Sequence, residues 1–420
     1  MIDTLVKPSR INRDFNLPED WTLFNIPELT NRKDGIKTGP FGSQLKRELL
    51  VKKGIKVYGQ ENVFQQNFDI GDRYINETHF KRLKSCELIP GDFLISMMGT
   101  IGRTSIVPDI GIKAIMDSHL LRLRLNESVI NPAYLLHFFS SKGLMDQVTK
   151  LTVGGIMDGL SSTIVKKLHI PLPPTIKEQT TIAEALSEAD ALILGFEKLI
   201  AKKQSIKQGV MQELLRRKEG WEMLNLGTSS TLKARIGWQG LTTAEYLNQG
   251  QYYLITGTEI IDGKVKWEAC HYVEKNRYSQ DKNIQLKPND ILVTKDGTIG
   301  KTAIVHELPK PATLNSGVFV IRPKKSDYFP GYLFYILRSI HFENFLNKLS
   351  AGSTISHLYQ KDFVHFDFPV PNSLGEQIEI SILLSNLDAE ISKLGAKLDK
   401  YKMIKQGMMQ NLLTGKIRLI

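Results

Sequence analysis

The ten residues MGTIGRTSIV, beginning at Met98, return 198 positions later as DGTIGKTAIV, beginning at Asp296. A phrase repeated at a fixed offset marks an internal duplication, which constrains the fold more than any local motif does. Of the sixteen positions from Asp92 to Val107, nine are identical to their partners 198 residues on, and Arg103 is exchanged conservatively for Lys301. Without a gap the same offset carries Tyr134 onto Tyr332, Pro171 onto Pro369, Pro173 onto Pro371, and Glu178-Gln179 onto Glu376-Gln377. It also carries IKQG at 206 onto IKQG at 404, while Trp21 and Trp221 open the halves two residues out of step. Each half is therefore expected to fold alike.

Within a half, short β-rich runs such as DFLISMM, TSIV and LLRLRL are punctuated by glycine and proline. A single helical stretch is expected near NPAYLLHFFSSKGLMDQV, so each half begins as a mixed α/β globule. The segments HIPLPP at 169 and DFPVPN at 367 then favour an extended backbone, because proline removes donors and fixes φ. After each connector comes an apolar seam spaced by alternating fours and threes. Positions 182, 186, 189, 193, 196, 200, 203, 207, 210 and 214 read Ile, Leu, Ala, Ile, Phe, Ile, Lys, Lys, Val, Leu. Their counterparts from 380 to 412 read Ile, Leu, Leu, Ile, Leu, Leu, Tyr, Lys, Met, Leu, interrupted by lysine at the same place. This is a coiled-coil pattern.

A helix from Lys177 to Arg217 would be about 60 Å long at roughly 1.5 Å per residue. One apolar stripe on so long a helix needs a partner, and the comparable helix is its own repeat. Antiparallel pairing closes a duplicated chain with a pseudo-twofold axis and would set one globule at each end of a rod. The expected fold is thus α+β: a tandem duplication of two α/β domains separated by a long antiparallel two-helix coiled coil, with divisions at 1–170, 171–218, 219–368 and 369–420. Within the seam, Lys207-Gln208 and Lys405-Gln406 each precede a glycine. They read as a local helix break or a snorkelling lysine, or else as a docking notch for another subunit.

Catalytic motifs are missing. A methyltransferase acting on an amino group would need an Asp/Asn-Pro-Pro-aromatic loop; LPPT at 172 lacks the polar group, and GGIMDG at 154 lacks a strand–loop–helix setting. No phosphate loop and no HExxH helix occurs, and the nine histidines show no metal-ligand spacing. Cys86 and Cys270 stand alone in non-equivalent places, so neither a disulfide framework nor a zinc quartet is expected. No apolar run of membrane-spanning length occurs, and MIDTLVKPSRINRDF lacks a signal-peptide core, which predicts a cytoplasmic protein with no membrane contact. The net charge of +11 and pI near 9.3 suit a polyanionic partner. In GTIG the glycines permit positive φ on both sides of Thr100 and Thr298, so the loop reads either as a structural turn or as backbone donors set against a phosphate. His119, which matches Gly317 in the repeat, is a polar contact or surface residue. Just before the loop the halves diverge, Ser96-Met97-Met98 against Thr294-Lys295-Asp296, as expected if the two halves read different things.

Together these residues resemble the specificity subunits of type I restriction–modification systems. The resemblance rests on the duplicated GTIG phrase after DFL or DIL, on IPLPP…EQ at 170–179 and FPVPN…EQ at 368–377, and on IKQGxMQxLL at both helix ends. It covers nearly the whole chain. It departs where Asn372 replaces a second proline, and where GSTISHL at 352 faces GGIMDGL in the first half. The resemblance implies that each globule is a target recognition domain binding one part of a split, asymmetric sequence in double-stranded DNA. It implies helices that space these domains and dock two modification subunits. It implies no cofactor and no catalysis in this chain: methyl transfer belongs to the modification subunits, and ATP-dependent cleavage to the restriction subunits. A stand-alone methyltransferase or endonuclease with an unrecognised site, and a scaffold without a nucleic-acid role, are the rival readings.

If the globules read DNA, polar side chains should meet base edges and cations should meet phosphates. The glycine-bounded loops offer Lys37, Ser43, Gln44 and Lys46, then Gln60 and Asn62, in the first half. The second half offers Lys233, Arg235, Trp238 and Gln239, then Thr256 and Thr258. Lys295 beside the repeated phrase completes the candidates. Half-site spacing should follow the helices that separate the readers.

Overall fold

The computed structural model describes residues 17–98, 102–151, 160–350 and 357–420, with backbone only at 42 and 238. The chain divides into two compact units. One combines Met1–Glu197 with Lys397–Ile420, and the other is Lys198–Ala396. The long helices Ile176–Leu214 and Leu374–Leu412 are each cut by this division, so each unit takes part of its coiled coil from the other repeat.

In the first unit a four-stranded antiparallel sheet runs in the order Ile36–Thr38, Leu120–Leu123, Phe93–Ser96, Thr104–Ile106. Side chains alternate across a strand, and here both faces are covered. Phe93, Ile95, Leu121 and Leu123 enter one core, while Leu94 and Leu120 enter a second. The second core is floored by Tyr74–Ile75, Ile55–Tyr58, Ala114–Met116 and Glu87–Leu88, whose central pair is parallel. The second unit repeats the plan. Ser230–Ala234, Val318–Pro323, Ile291–Thr294 and Thr302–Ile304 form one sheet; His271–Val273, Tyr252–Ile255 and Ala312–Leu314 form the other, again with a parallel pair. Ile291 and Val293 face one core, and Leu292 the other.

The identical residues of the duplication do identical work. Tyr134 Oη donates to the carbonyl of Pro171 at 2.8 Å, and Tyr332 Oη to that of Pro369 at 3.0 Å. Gln179 Oε1 accepts from the backbone of Asn131, and Gln377 Oε1 from that of Phe329, both at 2.8 Å. Asp92 is held by Arg124 Nε at 3.0 Å, and Asp290 by Arg322 Nε at 2.6 Å. The proline connectors are strands: His169–Leu172 pairs with Thr22–Asn25, and Asp367–Val370 with Glu222–Asn225.

The single helix expected around 131–148 is two, Pro132–Phe139 and Lys142–Leu151. Asn131 caps the first by accepting from the backbone of Ala133 and Tyr134. Ser140 closes it with a tight turn onto the His137 carbonyl. Ser141 Oγ then accepts from Leu144 N, because serine competes for backbone donors and favours helix starts.

Along the long helices the ten seam positions of each repeat are buried or half-buried, as the pattern predicts. Within the first unit Phe196 stacks on Tyr401 with ring centres 5.2 Å apart, and Lys402 reaches Glu197 at 2.8 Å and Lys405 reaches Asp190 at 2.5 Å. Within the second, Lys203 meets Glu390 at 2.7 Å and Lys207 meets Asp388. From Asp190–Lys405 to Phe196–Tyr401, and from Lys203–Glu390 to Lys207–Asp388, one number rises as its partner falls, so the paired segments run antiparallel. Gly209 and Gly407 lie inside unbroken helices. The seam lysines therefore neither break the helix nor snorkel; each is fixed to an aspartate of the facing helix, which satisfies a charge on a half-buried surface.

Candidate nucleic-acid interface

Between the strands Phe93–Ser96 and Thr104–Ile106, and again between Ile291–Thr294 and Thr302–Ile304, lies the repeated phrase. Ser96 Oγ accepts from Arg103 N at 3.1 Å, and Thr294 Oγ1 from Lys301 N at 2.9 Å. Gly297 and Gly300 have φ of 67° and 83° and Gly102 has 74°, a region that favours glycine. In the second unit the turn is thus held by its own hydrogen bond and by glycines at positive φ; residues 99–101 of the first, Thr100 among them, lie outside the described residues.

Other loops are wired to this turn in the same way twice. Met97 N donates to His119 O, and Lys295 N to Gly317 O, each at 2.9 Å. Leu160 N donates to Met97 O at 2.7 Å and Leu358 N to Lys295 O at 2.8 Å. Asp117 N donates to Tyr58 O at 2.9 Å, and Asn315 N to Ile255 O at 2.8 Å. The phrase, the loop after Tyr58 or Ile255, and the loop around His119 or Gly317 therefore form one cluster in each unit. In the first unit Gly39 joins it: its N donates to Leu120 O, and a Cβ there would lie 1.7 Å from the carbonyl oxygen of Asp117.

The candidate readers fall into two sets. Ser43, Gln44, Lys46, Lys233, Thr258 and Thr298 are exposed, while Lys37, Gln60, His119, Thr256 and Lys295 are partly exposed. Asn62 and Arg235 are instead interior, each 1% exposed. Asn62 Oδ1 accepts from Gly59 N, and its Nδ2 donates to the carbonyls of Asn67 and Ile70. Arg235 donates to Leu314 O at 2.8 Å and to Thr313 Oγ1 at 3.2 Å; burial and then the nearby Arg277 lower its pKa. Gln239 is buried too, and its amide oxygen has no partner among the described residues. Asn62 and Arg235 thus hold loops in place. For Trp238 only the backbone is described, in the turn Gly237–Gln239.

Several exposed residues escaped the sequence reading. Phe41 is 76% exposed and Ile236 52%, and both immediately precede a short 3-10 turn, Gly42–Gln44 and Gly237–Gln239. The signal was available: PFGSQ and RIGWQ align as apolar–Gly–x–Gln, three residues out of the main register. Met98, Asp296, His357 and Tyr359 also line the cluster, and none belongs to a composition-based class of DNA contact except by position.

Of the docking candidates, Lys207 and Lys405 are engaged by Asp388 and Asp190 inside their units, whereas Gln208 and Gln406 are exposed. Gln406 lines a cavity of about 700 Å³ in the first unit, together with Phe138, Lys142, Lys402, Met409 and Lys416. Both cysteines are buried, and burial pushes the Cys270 thiol up to about 12. Among the described residues no group of three metal-ligating side chains occurs, and no helix is long and apolar enough to cross a membrane.

A duplicated α/β framework with identical wiring and divergent loop tips is the architecture of a two-part recognition protein. The sequence model of the type I restriction modification DNA specificity domain matches residues 18–208 and 236–400, and the chain belongs to that family. It is 26% identical over 426 residues to a protein of Methanocaldococcus jannaschii named a putative type I restriction enzyme MjaX specificity subunit, covering 96% of this chain and 95% of that one. It is also 26% identical over 204 residues to the StySPI specificity subunit of Salmonella potsdam, covering 47% of this chain and 43% of that protein. Among solved structures, the type I restriction–modification S subunit from M. genitalium superposes with a TM-score of 0.58 at 15% identity, over 94% of this chain and 96% of that one. That likeness is one of fold.

Proposed function

We propose that this chain is the sequence-specificity subunit of a type I restriction–modification complex, acting in the cytoplasm on double-stranded DNA. Each unit reads one part of a bipartite, asymmetric target. Two modification subunits dock on the long helices, restriction subunits join the full complex, and chemistry belongs to those partners. The observation that carries this reading is the loop cluster built twice by the same hydrogen bonds, in a chain of this family, with different side chains at its rim. Exposed Lys46, Lys233 and the partly exposed Lys295 supply phosphate contacts that position the duplex. Ser43, Gln44, Gln60, Thr258 and Thr298 supply the polar groups that read base edges. Gln208 and Gln406 belong to the docking surface, and Lys207 and Lys405 shape it from within.

Reconstitution with the modification subunits, followed by sequencing of the sites they methylate, tests the reading. One bipartite motif with a fixed gap is expected, and no methyl transfer from labelled S-adenosylmethionine by this chain alone. Methylation by the isolated chain, or a complex whose methylation shows no motif, would overturn it.

A further inference from the structure

The two clusters share their wiring and differ in charge at one tip position. Met98 stands there in the first unit, 47% exposed; 198 residues on stands Asp296, whose side chain is 44% exposed. Asp296 is pinned twice to His357, by a backbone bridge and by His357 Nδ1 against its Oδ1. The imidazole in turn packs on Tyr359, ring centres 4.4 Å apart. Oδ2 has no partner among the described residues. Opposite it is Gly317, where a Cβ would lie 3.6 Å from Oδ2. The first unit has His119 in that place, so the second unit sets no side chain against its tip from this position.

A free carboxylate oxygen is out of place on a surface that meets phosphates, which line duplex DNA at one charge per roughly 1.7 Å. It fits where it meets a donor. In the major groove the base donors are the amino groups of cytosine N4 and adenine N6, and adenine sets its N7 acceptor beside N6. An acceptor-only carboxylate is repelled by N7 and matches cytosine. Resting on the reading of the chain as a specificity subunit, we propose that Asp296 is a specificity-determining residue of the second unit. Its Oδ2 accepts a hydrogen bond from the N4 amino group of a cytosine, and His357 is its positioning residue. The first unit presents a thioether at this position and reads a different chemistry there.

The test uses the complex with its modification subunits and the sequencing of methylated sites. Asp296→Asn should lower the preference for cytosine at one position of one half-site, by roughly tenfold or more. Adenine should gain, since an amide pairs with both N6 and N7. The other half-site should be unchanged. Gly317→His, which covers Oδ2, should weaken the same position without touching the carboxylate, and His357→Gln, which can still donate to Oδ1, should keep the wild-type motif. If both Asp296→Asn and Gly317→His fold and leave the motif intact, or lower methylation equally at all sequences, the pair only pins the loop and the proposal is wrong. A wild-type complex with no bipartite motif would instead overturn the function on which it rests.

Discussion

Under the first unit's cluster a guanidinium sits between two carboxylates; at the matching place in the second, a lone carboxylate is surrounded by neutral donors. Arg73 reaches Glu61 at 2.8 Å and Asp117 at 3.0 Å. Burial works against its charge, but the two carboxylates outweigh burial and raise its pKa. The counterpart of Glu61 is Glu259, only 2% exposed, and the counterparts of Arg73 and Asp117 are His271 and Asn315. Glu259 accepts from Thr256 N at 2.9 Å, Gly257 N at 3.1 Å, and the hydroxyls of Thr256 and Thr258 at 2.9 and 2.8 Å. The loss of the cation is thus matched by the loss of one carboxylate and the arrival of two hydroxyls. A buried charge must be paired or fully hydrogen-bonded, and each unit meets that requirement with its own set of loop residues. Two units of one fold have solved the same electrostatic problem with different side chains, and the rims they carry differ accordingly.

That contrast can be broken most sharply at Gly39. Alanine there would drive a methyl into the Asp117 carbonyl, and displacing that loop should cost about 3 kcal/mol. In the second unit Ala234 stands at the place of Gly39 in the PFGSQ and RIGWQ alignment, and Gly237 of the following turn has open space around it. Gly39→Ala should therefore abolish recognition of one half-site in methylated-site sequencing, while Gly237→Ala leaves both half-sites readable. Equal damage from both would show that the first loop is not uniquely constrained.

A smaller effect is expected from Arg73→Ala, which leaves the nearly buried Asp117 without its cation. Thermal unfolding of the full chain should show a loss of about 2 kcal/mol, reduced from the fully buried case because Arg73 is partly exposed. His271→Ala at the matching site should cost under about 1 kcal/mol, since no carboxylate depends on it. A cost for His271→Ala equal to that of Arg73→Ala would contradict the account given for Glu259.

The smallest effect concerns pH. His137 is 3% exposed, with Nε2 at 2.9 Å from Ser187 Oγ and Nδ1 at 3.7 Å from Asp190. Burial, then the Lys405 charge, lower its pKa, against the pull of Asp190. The folded histidine thus holds a proton less readily than the unfolded one. The stability this contributes is present above the ordinary histidine pKa of about 6.5 and is lost as pH falls through the depressed folded value. The second unit has Tyr335 at this place, donating to Asp388 at 2.9 Å, and burial raises the pKa of its phenol, so it does not titrate in that window. His137→Tyr should flatten the fall in melting temperature between pH 7.5 and 5.5. An unchanged slope would assign the acid sensitivity to other groups.

Much of the architecture follows from residues close in sequence. The repeated phrase forms the hairpin its glycines allow, the proline connectors are extended, and the two seams are covered along their whole length. Serines 140 and 141 split a helix that apolar spacing alone joins, because a side-chain oxygen can cap a turn as well as face water. The candidate readers were less legible. Asn62, Arg235 and Gln239 sit on glycine-bounded loops among polar neighbours, as exposed residues do. Only the carbonyls of Ile70 and Leu314 and the turn around Gln239 place them inside.

The sequence by itself determined that there are two alike frameworks and which residues build them, since those are the positions that the duplication preserved: Asp92 and Asp290, Tyr134 and Tyr332, Gln179 and Gln377. It also determined that the helices need partners, because one apolar stripe must be covered. Only the tertiary structure decided which segment covers which stripe. Lys207 meets Asp388 across 181 residues of chain and Lys405 meets Asp190 across 215, so each unit is completed by the other repeat's helix. It decided likewise that Asp296 keeps a free oxygen while Glu259 does not. Both are acidic residues on loops, and whether such a charge is consumed or left open depends on donors brought to it from distant parts of the chain.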